Sequence, residues 1–136
     1  MRILGIDYGD SRMGLAVSDP TGFLAGGIGT VKVTGITSAV KEAAKAATDN
    51  GVSLIVVGLP VNMDGSEGAR AEKCRFFAQK LEEECKIKVE MYDERRTTIL
   101  AAGFMNETGT CGKKRKEAID TLSAQIILQS YLDRNR

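Results

Sequence analysis

An α/β fold is predicted, with a mixed five-stranded sheet (three antiparallel strands, then two parallel ones) and helices on both faces. Three features of the sequence predict it. The opening third alternates short apolar runs with polar turns and shows no helical period. Residues 52–57 form a nearly continuous, valine-rich run, as expected of a strand covered on both sides. Between and after these runs lie stretches of helical periodicity, long enough to carry the chain from one parallel strand to the next.

The first strand covers residues 2–6 and closes on Asp7. Gly9, Asp10, Ser11 and Arg12 form a tight turn, and a second apolar run leads to Asp19. Residues 27–33 read as the third strand and complete a meander. Thr34 or Thr37 can cap a first helix, whose apolar positions Ile36, Val40, Ala43, Ala44 and Ala47 keep helical spacing; Asn50-Gly51 ends it. The fourth strand, residues 52–57, runs into Gly58-Leu59-Pro60 and a polar loop at 62–68. A second helix over 69–85 aligns Cys74, Phe77, Ala78, Leu81 and Cys85 on one stripe. Residues 86–92 alternate Ile87, Val89 and Met91 with polar neighbours, as an edge strand does. A short helix over 97–104, a flexible loop at 109–112 and a last helix over 114–132 complete the order βββαβαβαα. That order is the one found in ribonuclease H-like folds.

The chain has 136 residues, 43% of them hydrophobic, enough for one core and therefore for one domain over residues 1–136. Nineteen basic side chains against eighteen acidic ones leave a net charge of +1, so a nucleic-acid interface has to be a local concentration of charge. Three cysteines without CxxC spacing speak for a reducing compartment, with Cys74 and Cys85 as core thiols and Cys111 in a polar loop. The first residues read as a strand and not as a signal peptide, and no apolar run approaches the ~20 residues that span a bilayer. A cytoplasmic protein with no membrane partner is expected. Histidine is absent, which excludes Ser-His-Asp and Cys-His catalysis and argues against a zinc site built on histidine ligands. Hydrolysis would then rest on carboxylates, lysines, hydroxyls or carboxylate-held metal ions.

Three acidic elements carry that possibility. Asp7 ends an apolar strand, where a carboxylate is costly unless it is paired or holds a cation; the plainer alternative is an acid that caps the following turn. At 100° per residue, Ala124, Ile127, Leu128 and Tyr131 cluster around the direction of Asp120 on the last helix. A carboxylate on an apolar stripe, about one and a half turns into a helix, is out of place as a solvated charge. Asp93 and Glu94 end the last strand. Strand alternation continues Val89 and Met91 to Asp93, whereas Glu94 is in phase with Glu90 and Tyr92; pattern alone leaves both open. Acids from a first strand, a last strand and a last helix can converge at one sheet edge and hold one or two Mg²⁺ or Mn²⁺ ions through oxygen ligands. Such ions activate water toward a phosphodiester without histidine.

The basic run Lys113-Lys114-Arg115-Lys116 adjoins the helix that bears Asp120, and Arg12, Arg95 and Arg96 fall near the same edge. Charge runs are commonly solvated faces; beside a metal site they can hold a phosphate backbone. Arg70 and Lys73 begin the second helix, after a loop that offers Asn62, Asp64 and Ser66 near a helix N-terminus.

Four segments taken together, GIDYGDSRMGLAVSD (5–19), VGLPVNMDGSEGARAE (57–72), YDERRTT (92–98) and IDTLSAQIILQSYLD (119–133), resemble the YqgF/RuvX family of ribonuclease H-like proteins, related to the RuvC Holliday junction resolvases. The resemblance runs the whole chain. It implies a bacterial nuclease of pre-16S ribosomal RNA, with Holliday junction resolution proposed for some members. It also implies metal ligands at Asp7, the Asp93-Glu94 pair and Asp120, with Asp7, Glu94 and Asp120 in the catalytic role. Asn62 and Asp64 match the family's GLP-x-N-x-D-G element. Better-known nucleases of this fold carry an acid on the strand beside the first; here that strand ends in Gly58-Leu59-Pro60, so Asp93 or Glu94 has to supply the ligand.

The expected function is a metal-dependent endonuclease of structured nucleic acid, most directly in 5′-end processing of pre-16S ribosomal RNA. Arg12, Asn62, Arg95, Lys113, Lys114 and Arg115 would contact the nucleic acid. Alternatives are a Holliday junction resolvase acting on branched DNA and a non-catalytic RNA-binding factor in ribosome assembly. Monomer and homodimer both fit the sequence.

Overall fold

The structure, a computed structural model, describes residues 1–96 and 113–135, except for the side chains of 113–120. Strands β1 (Ile3–Tyr8), β2 (Arg12–Ser18) and β3 (Ala25–Lys32) are followed by α1 (Ile36–Asp49), β4 (Leu54–Leu59), α2 (Ala69–Cys85) and β5 (Lys88–Asp93). A 3₁₀ turn (Glu94–Arg96) and, across the undescribed stretch, α3 (Lys113–Arg134) complete the described elements. The sheet order is β3-β2-β1-β4-β5, with β1–β2 and β2–β3 antiparallel and β1–β4 and β4–β5 parallel. The expected mixed five-stranded sheet is therefore present. The helix expected over 97–104, the loop at 109–112 and Cys111 lie outside the described residues.

Two expectations at element ends need correction. β1 does not end on Asp7: Asp7 pairs with Gly14 and Tyr8 with Met13, so the ladder continues one residue past the carboxylate. Neither Thr34 nor Thr37 caps α1. The cap is Gly35, at φ 155°, whose carbonyl accepts the Ala39 N–H at 3.0 Å, with no side-chain cap. That backbone position favours glycine, and it leaves Thr37 within the first turn.

Strand alternation divides the sheet between two cores. Leu4, Ile6 and Tyr8 of β1 join Ile55 and Val57 of β4 under α1 and α2, in a cluster that includes Ala43, Ala47, Phe77 and Leu81. The Phe77 ring stacks on Tyr8 at 4.5 Å and 12°. Cys74 is buried here, and burial pushes its thiol up to about 11, which makes it an inert core group. On the opposite face Ile3, Leu54, Val56 and Tyr92 pack against Ala124, Ile127, Leu128 and Leu132 of α3. The apolar stripe read from the last helix is thus its buried face.

α3 is held in a defined axial position. Gly5 lets it approach β1 closely: a Cβ there would stand 2.7 Å from Leu128 Cβ and 3.1 Å from the Ala124 carbonyl oxygen. Gln125 and Gln129 satisfy the edge strand, Gln129 Oε1 accepting from the Ala25 N–H at 2.9 Å and Gln125 Nε2 donating to the Ala25 carbonyl at 3.1 Å. Thr121 and Thr30 share a hydroxyl hydrogen bond of 2.7 Å. At the far end, the Tyr131 hydroxyl donates to Glu90 at 2.6 Å, and its ring meets Tyr92 edge-on at 6.1 Å. Burial and the Glu90 carboxylate push the Tyr131 hydroxyl up to about 12, so this bond persists across the physiological pH range.

Candidate active site

Asp7 is in strand phase with Ile3 and Gly5, which places it on the α3 face near the C-terminal end of β1. The parallel register pairs Ile6 with Val57, so the next position of β4, beside Asp7, is Gly58. Gly58 also lies on the α3 face. A Cβ there would stand 2.5 Å from Ile127 Cδ1 and 3.3 Å from both Cγ and Cδ of Glu94. The Glu94 carboxyl therefore occupies the space over Gly58, next to the end of β1. Absence of a side chain at position 58 is what admits it. Glu94 is half-buried, and burial raises its carboxyl above the usual glutamate range, against the opposing influence of Arg70.

Asp93 is separated from this arrangement. It is in phase with Val89 and Met91, which pack on the α1/α2 core, and it pairs with Leu59 of β4. Its carboxylate accepts from the Arg95 guanidinium at 2.7 Å (Nη2) and 3.0 Å (Nε), and from the Arg95 backbone N–H at 2.9 Å. These bonds hold the Asp93 carboxyl below the usual aspartate range. Tertiary structure thus separates two adjacent acids that alternation left open: Glu94 packs over Gly58 on the α3 face, and Asp93 closes the 3₁₀ turn with Arg95.

Position 120 is located by the backbone of α3. Leu132 shares a core with Ile3, while Ala124 and Leu128 lie on Gly5, so α3 runs opposite to β1. From the Gly5–Ala124 contact, two strand residues advance about 6.6 Å to Asp7. Four helical residues step back about 6 Å to Asp120. The two backbone positions come level at the same end of the sheet. Thr121, beside position 120, is tied to Thr30, which fixes that turn.

The other sequence-predicted contacts are distributed unevenly. Arg12 begins β2 in phase with Gly14, on the α3 face beside Asp7. Arg95 is engaged by Asp93. The Asn62 side chain donates to Ser66 Oγ at 3.0 Å, and Ser66 donates to Asp64 through its N–H and its hydroxyl at 2.9 and 2.6 Å, so this loop is an internally bonded turn. Lys113, Lys114 and Arg115 form the first turn of α3, with side chains outside the described residues. Arg70 is the residue whose position the linear pattern could not supply. From the first turn of α2 its Nη2 donates to the Tyr8 carbonyl at 3.2 Å, across 62 residues of sequence.

The sequence matches the RuvX family, described as Holliday junction resolvase, over residues 1–134. The chain belongs to the RuvX family. A RuvX relative from Ruminiclostridium cellulolyticum is 44% identical over 135 residues, covering 98% of this chain and 95% of its own length. One from Myxococcus xanthus is 43% identical over 136 residues, covering 100% and 90%. Both carry the name "Putative pre-16S rRNA nuclease". Among solved structures, RuvC from Thermus thermophilus bound to a Holliday junction substrate superposes with a TM-score of 0.63 at 12% identity, over 99% of this chain and 95% of that one. The fowlpox virus resolvase with Holliday junction DNA gives 0.61 at 14%, over 99% of each. At that identity the likeness establishes the fold, which is the ribonuclease H-like fold expected from the element order. No helix among the described residues is long and apolar enough to cross a membrane.

The donor chemistry of this RuvX site suits a hard divalent cation. Among the described residues no group of three His, Cys, Asp or Glu side chains is gathered. Asp7 and Glu94 lie on the same face of the sheet, Glu94 over a glycine whose missing side chain leaves room, and the backbone of α3 brings position 120 to the same end of the sheet. Oxygen donors in that number fit Mg²⁺ or Mn²⁺ and not a thiol- or imidazole-seeking metal.

Proposed function

We propose that this RuvX chain is a divalent-cation-dependent phosphodiester hydrolase acting in 5′-end processing of pre-16S ribosomal RNA, with Asp7, Glu94 and Asp120 as the cation ligands. The observation that carries this is the Glu94 carboxyl seated over Gly58 beside Asp7, on the face to which α3 brings position 120. The names of relatives at 43–44% identity support the RNA substrate. The family description favours branched DNA as a second substrate.

Bound Mg²⁺ or Mn²⁺ supplies Lewis acidity and a reactive water at neutral pH. The chain's own contribution is positional. Asp7 is fixed by its ladder to Gly14, and Glu94 by packing over Gly58. The basic first turn of α3 and Arg12 hold the phosphate backbone at this edge without reading sequence.

The decisive assay incubates purified protein with precursor 16S RNA, single strands and four-way junctions, with and without Mg²⁺ or Mn²⁺. Glu94→Gln is expected to lower the cleavage rate by about 10²–10³-fold, the scale of one preorganised electrostatic contact. Because burial raises the Glu94 carboxyl, its ionised form opposes folding, so Glu94→Gln should also raise Tm at neutral pH. That gain should disappear as pH falls below the carboxylate's unfolded value. Asp93→Asn should behave oppositely. Cleavage should stay within a few-fold of wild type, and stability should drop slightly, by about 1 kcal/mol or less for a partly exposed ion pair. Since Asp93 is held low, that deficit should be present above its unfolded value and vanish as pH falls through the folded one. Equal loss of cleavage in both variants would refute the assignment. Cation-independent binding with no cleavage by wild type would leave an RNA-binding assembly factor.

Gly58→Ala tests the same geometry from the strand side. The new methyl meets only the movable end of Ile127 but presses on Glu94 at 3.3 Å. Cleavage should fall about tenfold or more while stability changes by about 1 kcal/mol. Wild-type cleavage rates, measured alongside a thermal melt, would contradict the placement of Glu94.

A further inference from the structure

The cations bordering this site differ in what they touch. Arg95 is committed to Asp93, Lys73 faces Asp10 at 3.5 Å, and Arg75 forks onto Glu67 at 2.6 and 2.8 Å. Arg70 is exposed, and its hydrogen bond among the described residues goes to a neutral acceptor, the Tyr8 carbonyl. That carbonyl belongs to the residue directly after Asp7, at the mouth of the site. Arg70 also lies close enough to Glu94 to counter the effect of burial on its carboxyl. A guanidinium has five donors in a rigid fork, and one suffices for Tyr8. An arginine tethered by a single N–H at the end of a strand, with its charge answered by no carboxylate at ion-pair distance among the described residues, has the chemistry of a phosphate clamp.

We propose that Arg70 binds a non-bridging oxygen of the phosphodiester being cleaved, using its remaining N–H groups while the Tyr8 carbonyl holds its orientation. This rests on the nuclease reading and extends it to a residue from α2. In the hydrolysis a bond forms between water oxygen and phosphorus and the ester P–O bond breaks. One proton leaves the attacking water and one reaches the departing oxygen. Attack by the deprotonated water adds negative charge to the non-bridging oxygens beyond the one the diester already carries, and Arg70 meets that added charge, so its effect falls chiefly on turnover.

The test compares wild type, Arg70→Ala and Arg70→Lys. Arg70→Ala should lose about 10²-fold in kcat with KM changed only a few-fold, as for loss of one oxyanion donor. Added guanidinium ion should restore several-fold of the lost rate. Arg70→Lys, which keeps charge without the fork, should fall between. All three should melt at similar temperatures. A loss confined to KM and to the salt slope of binding would assign Arg70 to a neighbouring phosphate and overturn the proposal. So would a lowered Tm with no rescue by guanidinium, since that marks a purely structural tie to Tyr8. Equilibrium binding of a short phosphodiester oligonucleotide without divalent cation separates this from the nuclease reading. If wild type binds but never cleaves, the nuclease reading fails, and weaker binding by Arg70→Ala still sustains the phosphate contact. Unchanged binding in that case overturns it.

Discussion

Asp7→Asn is expected to lose cleavage by about three orders of magnitude while unfolding at nearly the wild-type temperature. Asn has the shape of Asp, so the pairing with Gly14 and the phase of β1 survive. What changes is the ligand. A neutral amide oxygen replaces a charged carboxylate that can bridge or chelate, and hard divalent cations depend on such charge. Lewis-acid stabilisation of a phosphoryl transition state is worth several kcal/mol, and about 1.4 kcal/mol corresponds to tenfold in rate, which sets the scale. Thermal melts should agree within about 2 °C, or roughly 0.5 kcal/mol in a chain of this size. Initial rates over a Mg²⁺ and Mn²⁺ titration, with circular dichroism on the same preparations, measure both quantities. A variant that cleaves at the wild-type rate with its fold intact would remove Asp7 from the chemistry.

Phe77→Ala should cause the largest loss of stability. Phe77 is fully buried between α2 and the sheet, and its ring stacks on Tyr8. Truncating a buried phenylalanine costs about 3–5 kcal/mol through lost transfer energy and an unfilled cavity. Against a typical total of about 5–15 kcal/mol this is a large share, and Tm should fall by roughly 10–20 °C. The effect has a functional side, because Tyr8 follows Asp7 and its carbonyl receives Arg70. Cleavage should therefore decline at temperatures below the melt. Phe77→Leu, which retains most of the volume, should cost much less. A denaturant titration showing Phe77→Ala within 1 kcal/mol of wild type, by the same large-to-small scale, would mean the α2 core is looser than its burial indicates.

Much of this molecule is legible along the chain. The valine run at β4, the stripe of Phe77 and Leu81 on α2 and the stripe of Ala124, Ile127 and Leu128 on α3 each state a local period, and all three are buried as that period implies. Element order then limits the topology, because parallel strands need helical crossovers. Errors fall at element ends. Gly35 displaced two threonines as the cap, and Asp7 stayed inside its strand, since ladder pairing and backbone angle override side-chain preference there. For the candidate site, Asp7 stood out as a carboxylate on an apolar strand and Asp120 as one on an apolar helical stripe.

The choice between Asp93 and Glu94 could not be made from pattern, because both are acids at the point where strand alternation gives way to a turn. The proposed choice of Glu94 rests on Gly58, over which Glu94 packs, and on Arg95, which takes Asp93. The tie between Arg70 and Tyr8 spans 62 residues and has no linear signal. Composition and periodicity determined which faces are buried, since burial follows from the apolar content of each local segment. Which polar groups meet at the sheet edge was decided by strand register and by glycines that let distant segments approach, properties that exist only after the chain has packed.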